Sequence, residues 1–311
     1  MNNKITWPEG KDFAFTIFDD TDLATLENVR EVYQFLADCG FRTTKSVWPI
    51  RGAEDPRIGG ATCEDKEYLT WIYHLKDRGF EIGYHSATFH SSSRSETIRG
   101  VEKFKELFGN QPKCTAFHHD NQENVYWGEY RLSGLNRFVY NVVLRGKYKN
   151  LFRGHREGDE YFWGDICKEN ITYVRNFVFT GINTLKACPM MPYYDPQRPF
   201  VNYWFASSDG PDMETFNDCI TEINQDRLEE ENGACIMYTH FGKDFYKDGN
   251  INSQFKFLMK RLRRKNGWFV PVSTLLDYLL KVNGKHTISD RERKGLERKW
   301  LFQQIKRNLS S

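Results

Sequence analysis

The sequence predicts an α/β protein whose strands run parallel and are joined by helical crossovers. Two observations carry that prediction. Apolar runs of strand length alternate with amphipathic runs of helix length through the first half of the chain, and the same alternation returns after residue 212. Several of the helical runs stop at a glycine, the usual helix terminator. Strand, helix, strand at this spacing means parallel strands connected by crossovers. The 311 residues suffice for one large barrel-type domain or two ordinary ones.

In order, "DFAFTIF" reads as a buried strand and "DLATLENVREVYQFLADCG" as a helix, with Leu26, Val29, Val32, Tyr33 and Leu36 on one face and Gly40 as its stop. "FRTTKSVWPI", "FEIGYHS" and "KCTAFHH" are the next strands, separated by the helices "CEDKEYLTWIYHLKDRG" and "SETIRGVEKFKELFG". Between about 125 and 210, "NITYVRNFVFTGINTL" and "PFVNYWFASSD" read as strands among many aromatics. "DMETFNDCITEINQDRLEEENG" follows as one helix, then strand "ACIMYTHF", helix "INSQFKFLMKRLRRKNG", strand "WFVPVS" and helix "TLLDYLLKV". The tail, "ISDRERKGLERKWLFQQIKRNL", is a separate amphipathic helix, with Ser289 and Glu292 at capping-box spacing and Leu296, Trp300 and Leu301 as its apolar stripe. The expected division is a barrel domain over 1–283 and a helical tail over 284–311.

Composition excludes some classes. Hydrophobic residues make up 39%, charged residues 28% and aromatics 15%, a globular balance with aromatics enough to line a sugar pocket or fill a core. A net charge of +2 gives no whole-chain signal for nucleic acid. The seven cysteines are scattered and never spaced C-x-x-C, against a disulfide framework or a cysteine zinc site. The opening "MNNKITWPEGKDF" lacks an apolar secretory core, so the expected compartment is the cytosol.

Residues at the C-terminal ends of parallel strands share one rim, where α/β proteins build their sites. Here those ends carry Asp19-Asp20, His85 and His118-His119. A hydrolytic metal centre needs oxygen and imidazole ligands, an open position for water and a neighbouring base. Asp20 offers a carboxylate, and His85 and His90 in "YHSATFH" offer imidazoles. Asp19 is expected to take the proton from the water, and His240, ending "CIMYTH", to protonate the leaving group. Thr21 or Asp22 is expected to cap the first helix, which leaves Asp19 and Asp20 for chemistry.

The order of these pieces resembles the polysaccharide deacetylase family, the NodB-homology carbohydrate esterases. "FTIFDD" is similar to that family's first motif, in which the first Asp is the base and the second a metal ligand. "EIGYHSATFH" is similar to the second motif and "CIMYTHF" to the one carrying the catalytic-acid His, and "GWFVPVSTLLDYLL" to the last strand and helix. The resemblance spans roughly residues 10–280. It implies a distorted barrel of about seven strands and one divalent metal ion, usually zinc, which serves to remove acetyl groups from amino sugars.

Two departures bear on the site. His85 and His90 are five apart rather than the family's four, so on a helix their rings would diverge by about 140° and His90 must stand on a loop to be a ligand. The family's Arg-Pro-Pro run, whose Arg orients the catalytic Asp, is replaced by "FHHDNQEN". His118 or His119 can take the orienting part or replace His90 on the metal, with Asn121 beside them. Arg175 in "YVRNF" can reach in from a middle strand or simply bridge the core.

The expected substrate is an intracellular N-acetylated amino sugar of glycan assembly, nucleotide- or lipid-linked. The basic residues Arg291, Arg293, Lys294, Arg298, Lys299, Lys306 and Arg307 around the tail's apolar stripe fit either peripheral contact with an anionic membrane or a docked helix with a solvated face. The alternatives are a non-catalytic glycan-binding protein on the same barrel, and an amidohydrolase for another C–N bond.

Overall fold

A computed structural model describes residues 5–53 and 56–310, with side chains as far as Lys306; Arg307 of the expected basic face lies outside the described side chains. Among the described residues, seven parallel strands close into a barrel: β1 (Phe13–Asp19), β2 (Thr44–Val47), β3 (Glu81–Tyr84), β4 (Cys114–Thr115), β5 (Tyr173–Phe179), β6 (Tyr203–Asp209) and β7 (Ala234–Thr239). They pair in chain order, and β7 closes the ring on β1 from Ala14↔Ala234 to Asp19↔Thr239. Helices Leu26–Asp38, Lys66–Asp77 and Arg94–Phe108 are the first crossovers. This is the distorted seven-stranded (β/α)-barrel that the sequence predicts.

Three elements differ from expectation. The run after Asp212 is two helices, Met213–Cys219 and Glu222–Glu230, because Gln225 and Asn224 turn their side-chain amides onto the carbonyls of Ile220 and Cys219 at the break. "WFVPVS" contributes only Trp268, in the two-residue strand Gly267–Trp268 paired to the start of β1 outside the ring. β4 is two residues long, so "AFHH" leaves the sheet as loop and carries His118 across the barrel mouth.

The pleat of β1 sorts its side chains by twos. Phe18 faces inward, its ring 6.3 Å from that of Phe205 on β6. Phe15, on the other parity, packs outward on Phe41 behind the first helix. Asp19 shares that outward parity. Its carboxylate is fully buried between sheet and helix, 2.9 Å from Lys45 Nζ on β2, and it accepts hydrogen bonds from Tyr33 Oη (2.9 Å) and the Phe241 amide (2.8 Å). Asp19 and Lys45 are register partners on neighbouring strands.

The tail helix, Asp290–Ser310, docks on the barrel. Its stripe of Leu296, Trp300 and Leu301 is buried against the barrel, while Arg291, Lys294, Arg298 and Lys299 stay exposed. Arg293 pairs with Asp195, and Glu297 accepts from Ser133 and pairs with Arg198. The expected capping box is present: Ser289 Oγ accepts from the Glu292 amide, and Glu292 accepts from the Ser289 amide at 2.8 Å. No described helix is long and apolar enough to cross a membrane, and the seven cysteines are free.

Removing one partner of a buried ion pair strands the other. Lys45→Met is expected to lower unfolding stability by about 3–5 kcal/mol. Adding Asp19→Asn should recover part of that loss, as read from urea midpoints of the two chains.

Candidate active site

Of the three acids in "DDTD", two face the barrel mouth. Asp20, of inward parity, forms a two-point ion pair with Arg175 on β5, at 2.9 Å to Oδ1 and 2.5 Å to Oδ2. Asp22 lies beyond the strand and is free of helix capping, because the first helix takes Thr25 as its N-cap: Asn28 Oδ1 accepts from the Thr25 amide at 2.8 Å. The expected capping role of Thr21 or Asp22 is therefore corrected. The backbone is strained just past this point, with Leu23 at φ 58°, and a side chain at Gly242 would strike the Leu23 carbonyl at 2.6 Å.

The Asp22 carboxylate is ringed by three imidazoles. His85 Nε2 lies 3.1 Å from Oδ2, His240 Nε2 3.2 Å from Oδ2, and His118 Nδ1 2.5 Å from Oδ1. His85 follows β3 directly, its amide bound to the Val47 carbonyl, and Ser86 behind it has φ 64°. Trp48 walls both His85 and His118, with ring centroids 5.9 and 5.4 Å away. Burial pushes the Asp22 carboxyl up, but the charge of His85 and the hydrogen bonds from His118, His240 and His85 outweigh it and hold the group well below the usual range. Burial likewise works against a charge on His118, and Asp22 reverses it and raises that imidazole.

Ligand-grade atoms of Asp22, His85 and His118 lie within 4.8 Å of one another, and all three residues are buried. Around tetrahedral zinc, with bonds of ~2.0–2.2 Å, such atoms stand about 3.3 Å apart. The Nδ1 of His118 has no hydrogen-bond geometry despite its 2.5 Å approach to Asp22. His85 Nε2 is hydrogen-bonded to Asp22, but His118 Nδ1 is buried without a hydrogen-bond partner and aimed at the same carboxylate, and this set of one carboxylate and two imidazoles fits a divalent ion.

The expected ligand set is altered by geometry. Asp20 is held by Arg175, yet with Asp22 and His240 it also forms a second group whose ligand atoms lie within 4.8 Å of one another, so Asp22 is shared by both candidate metal groups. His90 is turned away: its Nε2 accepts from the Ala53 amide at 3.0 Å and its Nδ1 meets the Ser91 carbonyl at 2.9 Å. The expected base, Asp19, is on the helix side of the sheet, locked by Lys45 and Tyr33. Asn121 faces no substrate space but clamps the carbonyl of His90 and the carboxylate of Glu123. His119 is exposed at the rim beside Tyr148. His240 does face the cluster; its Nδ1 donates to the Pro211 carbonyl at 2.6 Å, and its Nε2 is 3.3 Å from Tyr238 Oη.

A cavity of about 540 Å³ opens over these groups, lined by Asp20, Asp22, Arg175 and His240 from the barrel and by Trp127 and Arg131 from the long segment between β4 and β5. Trp300 of the tail helix completes its wall.

No protein-family profile matches the chain, and no curated protein matches it in sequence. Solved structures do resemble it. A protein proposed to be a polysaccharide deacetylase from Mycobacterium smegmatis is 10% identical, with a TM-score of 0.50 over 92% of this chain and 96% of that one. The allantoinase PuuE is 9% identical, with a TM-score of 0.51 over 90% of this chain and 95% of that one. The fold is the NodB-like barrel of polysaccharide deacetylases.

Glu123 supports the His118 loop: it accepts from the Ser92 amide (3.1 Å) and Asn121 Nδ2 (2.9 Å), and complete burial lifts it from 4.5 to about 7. A carboxyl raised on folding stabilises most below its unfolded value and loses that contribution as pH climbs through the folded one. Stability should therefore fall between pH 4.5 and 7 by on the order of 3 kcal/mol from this group. Urea titrations should show Glu123→Gln gaining on the parent across that window.

Proposed function

We propose that the protein is a metal-dependent hydrolase that removes an acetyl group from an N-acetylated amino sugar. The carrying observation is that a cavity lined by Asp20, Asp22, Arg175 and His240 opens onto Asp22, whose carboxylate His85 and His118 meet from behind the lining. Asp22, His85 and His118 would hold a divalent ion, for which this donor set favours zinc. When bound, such an ion supplies Lewis acidity and a water of lowered pKa.

The chain's own groups supply the rest. Arg175 binds both oxygens of Asp20, which fixes the carboxylate and leaves lone pairs free to accept a proton from the attacking water. The guanidinium is itself braced, 4.3 Å over the Tyr238 ring. His240 donates its Nδ1–H to Pro211, so Nε2 is the nitrogen that would take up a second proton and, in the imidazolium form, pass it to the departing amine. The roles are those expected of a deacetylase, moved one acid along: Asp20 as base and Asp22 as ligand, with Arg175 filling the place of the missing Arg-Pro-Pro arginine.

An amidohydrolase acting on another C–N bond would use the same parts, and the equal likeness to an allantoinase keeps that reading in view. A panel of N-acetyl sugars, N-formyl compounds and cyclic ureides separates the two by product.

Metal analysis and acetate release test the assignment together. Asp22→Asn and His118→Ala are expected to lose bound metal. Asp20→Asn should keep its metal and lose acetate release at least ~100-fold, the usual size of a general-base contribution. Full metal in Asp22→Asn, or unimpaired turnover in Asp20→Asn, defeats the reading.

A further inference from the structure

Arg131 joins none of the ion pairs among the described residues. It sits in the short helical turn Gly128–Arg131, is 7% exposed, and lines the cavity shared by Asp20, Asp22 and His240. Its Nε and Nη2 are buried without an acceptor, and among the described residues no carboxylate stands within ion-pairing distance. The guanidinium is clamped between indoles, 3.2 Å from the Trp127 ring centroid and 5.4 Å from that of Trp300. Stacking on two indole faces orients the plane and offsets part of the cost of desolvation, but it satisfies no N–H.

The charged and titratable groups that bear on it give no relief. They are the phenols of Tyr140, Tyr238 and Tyr193 and a second guanidinium, Arg175, whose own carboxylate is already engaged. Burial draws Arg131 down to about 9, a penalty that an arriving anion would reverse. Lys147 and Lys243 line the same cavity and also lack an ion-pair partner there, while its acids Asp20 and Asp22 are neutralised by Arg175 and the imidazoles. Asp209, the remaining acid of the lining, has an interaction of its own and is not among the charges that bear most on Arg131.

We infer that Arg131 is an anion receptor within the substrate cavity, so that the acetylated sugar turned over here carries a carboxylate or a phosphate. The inference rests on the deacetylase reading for the identity of the sugar, but not for the presence of the anion. An arginine whose plane is fixed by stacking presents its fork to an oxyanion with little further ordering, and both anions suit that fork. The indoles that flank it are of the kind that bind a sugar ring by its face.

Calorimetric binding to the full, zinc-loaded chain tests this without relying on turnover. The probes are N-acetylglucosamine, its C6 uronate and its 1-phosphate. At least one charged sugar is expected to bind tenfold or more tightly than the neutral one, and which of them does so identifies the anion. Arg131→Gln should erase the preference with metal content and unfolding midpoint unchanged, and Arg131→Lys should retain part of it. If Arg131→Gln fails to fold, the Lys variant decides, because loss of bidentate geometry must then weaken the charged sugar more than the neutral one. Charged sugars that bind no better than the neutral one, or a preference that survives in Arg131→Gln because metal or lysine holds the anion, overturn the inference. Acetate release is scored separately: its absence with the preference intact defeats the reaction and leaves the anion site standing.

Discussion

The site depends on one buried ion pair that performs no chemistry. Asp19 ends β1 with its side chain on the helix side of the sheet, and Lys45 from the next strand neutralises it out of reach of water. Because the pleat alternates, fixing Asp19 outward fixes Asp20 inward, toward Arg175 and the barrel mouth. Asp19 also accepts the Phe241 amide, the residue after His240, so the same carboxylate ties the end of β7 to the end of β1. Base and acid candidates are thus brought face to face by an acid that belongs to neither role.

Asp22 is positioned by different means, since it lies past the strand. The chain must double back between β1 and the first helix within a few residues, and it does so with a left-handed Leu23 and a cap delayed to Thr25. Gly242 presses on this turn from the β7 side, and Gly60, whose Cβ would approach the Ala24 carbonyl to 2.9 Å, presses from the other. A non-glycine residue at φ 58° costs of order 1–3 kcal/mol and persists only where its surroundings over-determine it. Here those surroundings are the two glycine backbones and the Leu23 amide bonded to the Gly59 carbonyl at 2.7 Å. That strained turn is what converts a would-be helix cap into a carboxylate facing three histidines.

The fold was legible because burial writes periodicity into sequence. Strand runs and amphipathic helices with glycine stops read correctly around the ring, and their C-terminal ends marked the rim where His85 and His240 stand. The allocation of roles among the acids was harder, although part of it was present in the pattern. Counting by twos along "FTIFDD" puts Asp19 with Phe15 and Ile17, and Asp20 with Thr16 and Phe18, so the parity of base and anchor could have been separated from sequence alone. Asp22 was hidden by local logic: an Asp ahead of "LATLENV" is a good cap, but the equally local reciprocal cap of Thr25 and Asn28 takes that part. His118 and Arg175 were visible as candidates. Their choice over His90 depended on a loop path and on a cross-barrel contact spanning 155 residues, neither of which periodicity records.

What distinguishes this barrel is the roof over its rim. The segment between β4 and β5 and the tail helix are far apart in sequence, yet they meet through Ser133 and Glu297 and through the stacked rings of Tyr140 and Trp300. Their junction closes the wall in which Trp127, Arg131 and Trp300 stand. The tail's apolar stripe is thus buried against the barrel, and Trp300 from it walls the cavity and stacks on Arg131. The barrel rim carries the Asp and His cluster, and the roof carries a preorganised cation. Because the roof is assembled from loop and tail rather than from the ring of strands, its charge can change without disturbing the strand ends. On the proposed reading, ligand preference is thereby physically separable from the chemistry at the strand ends.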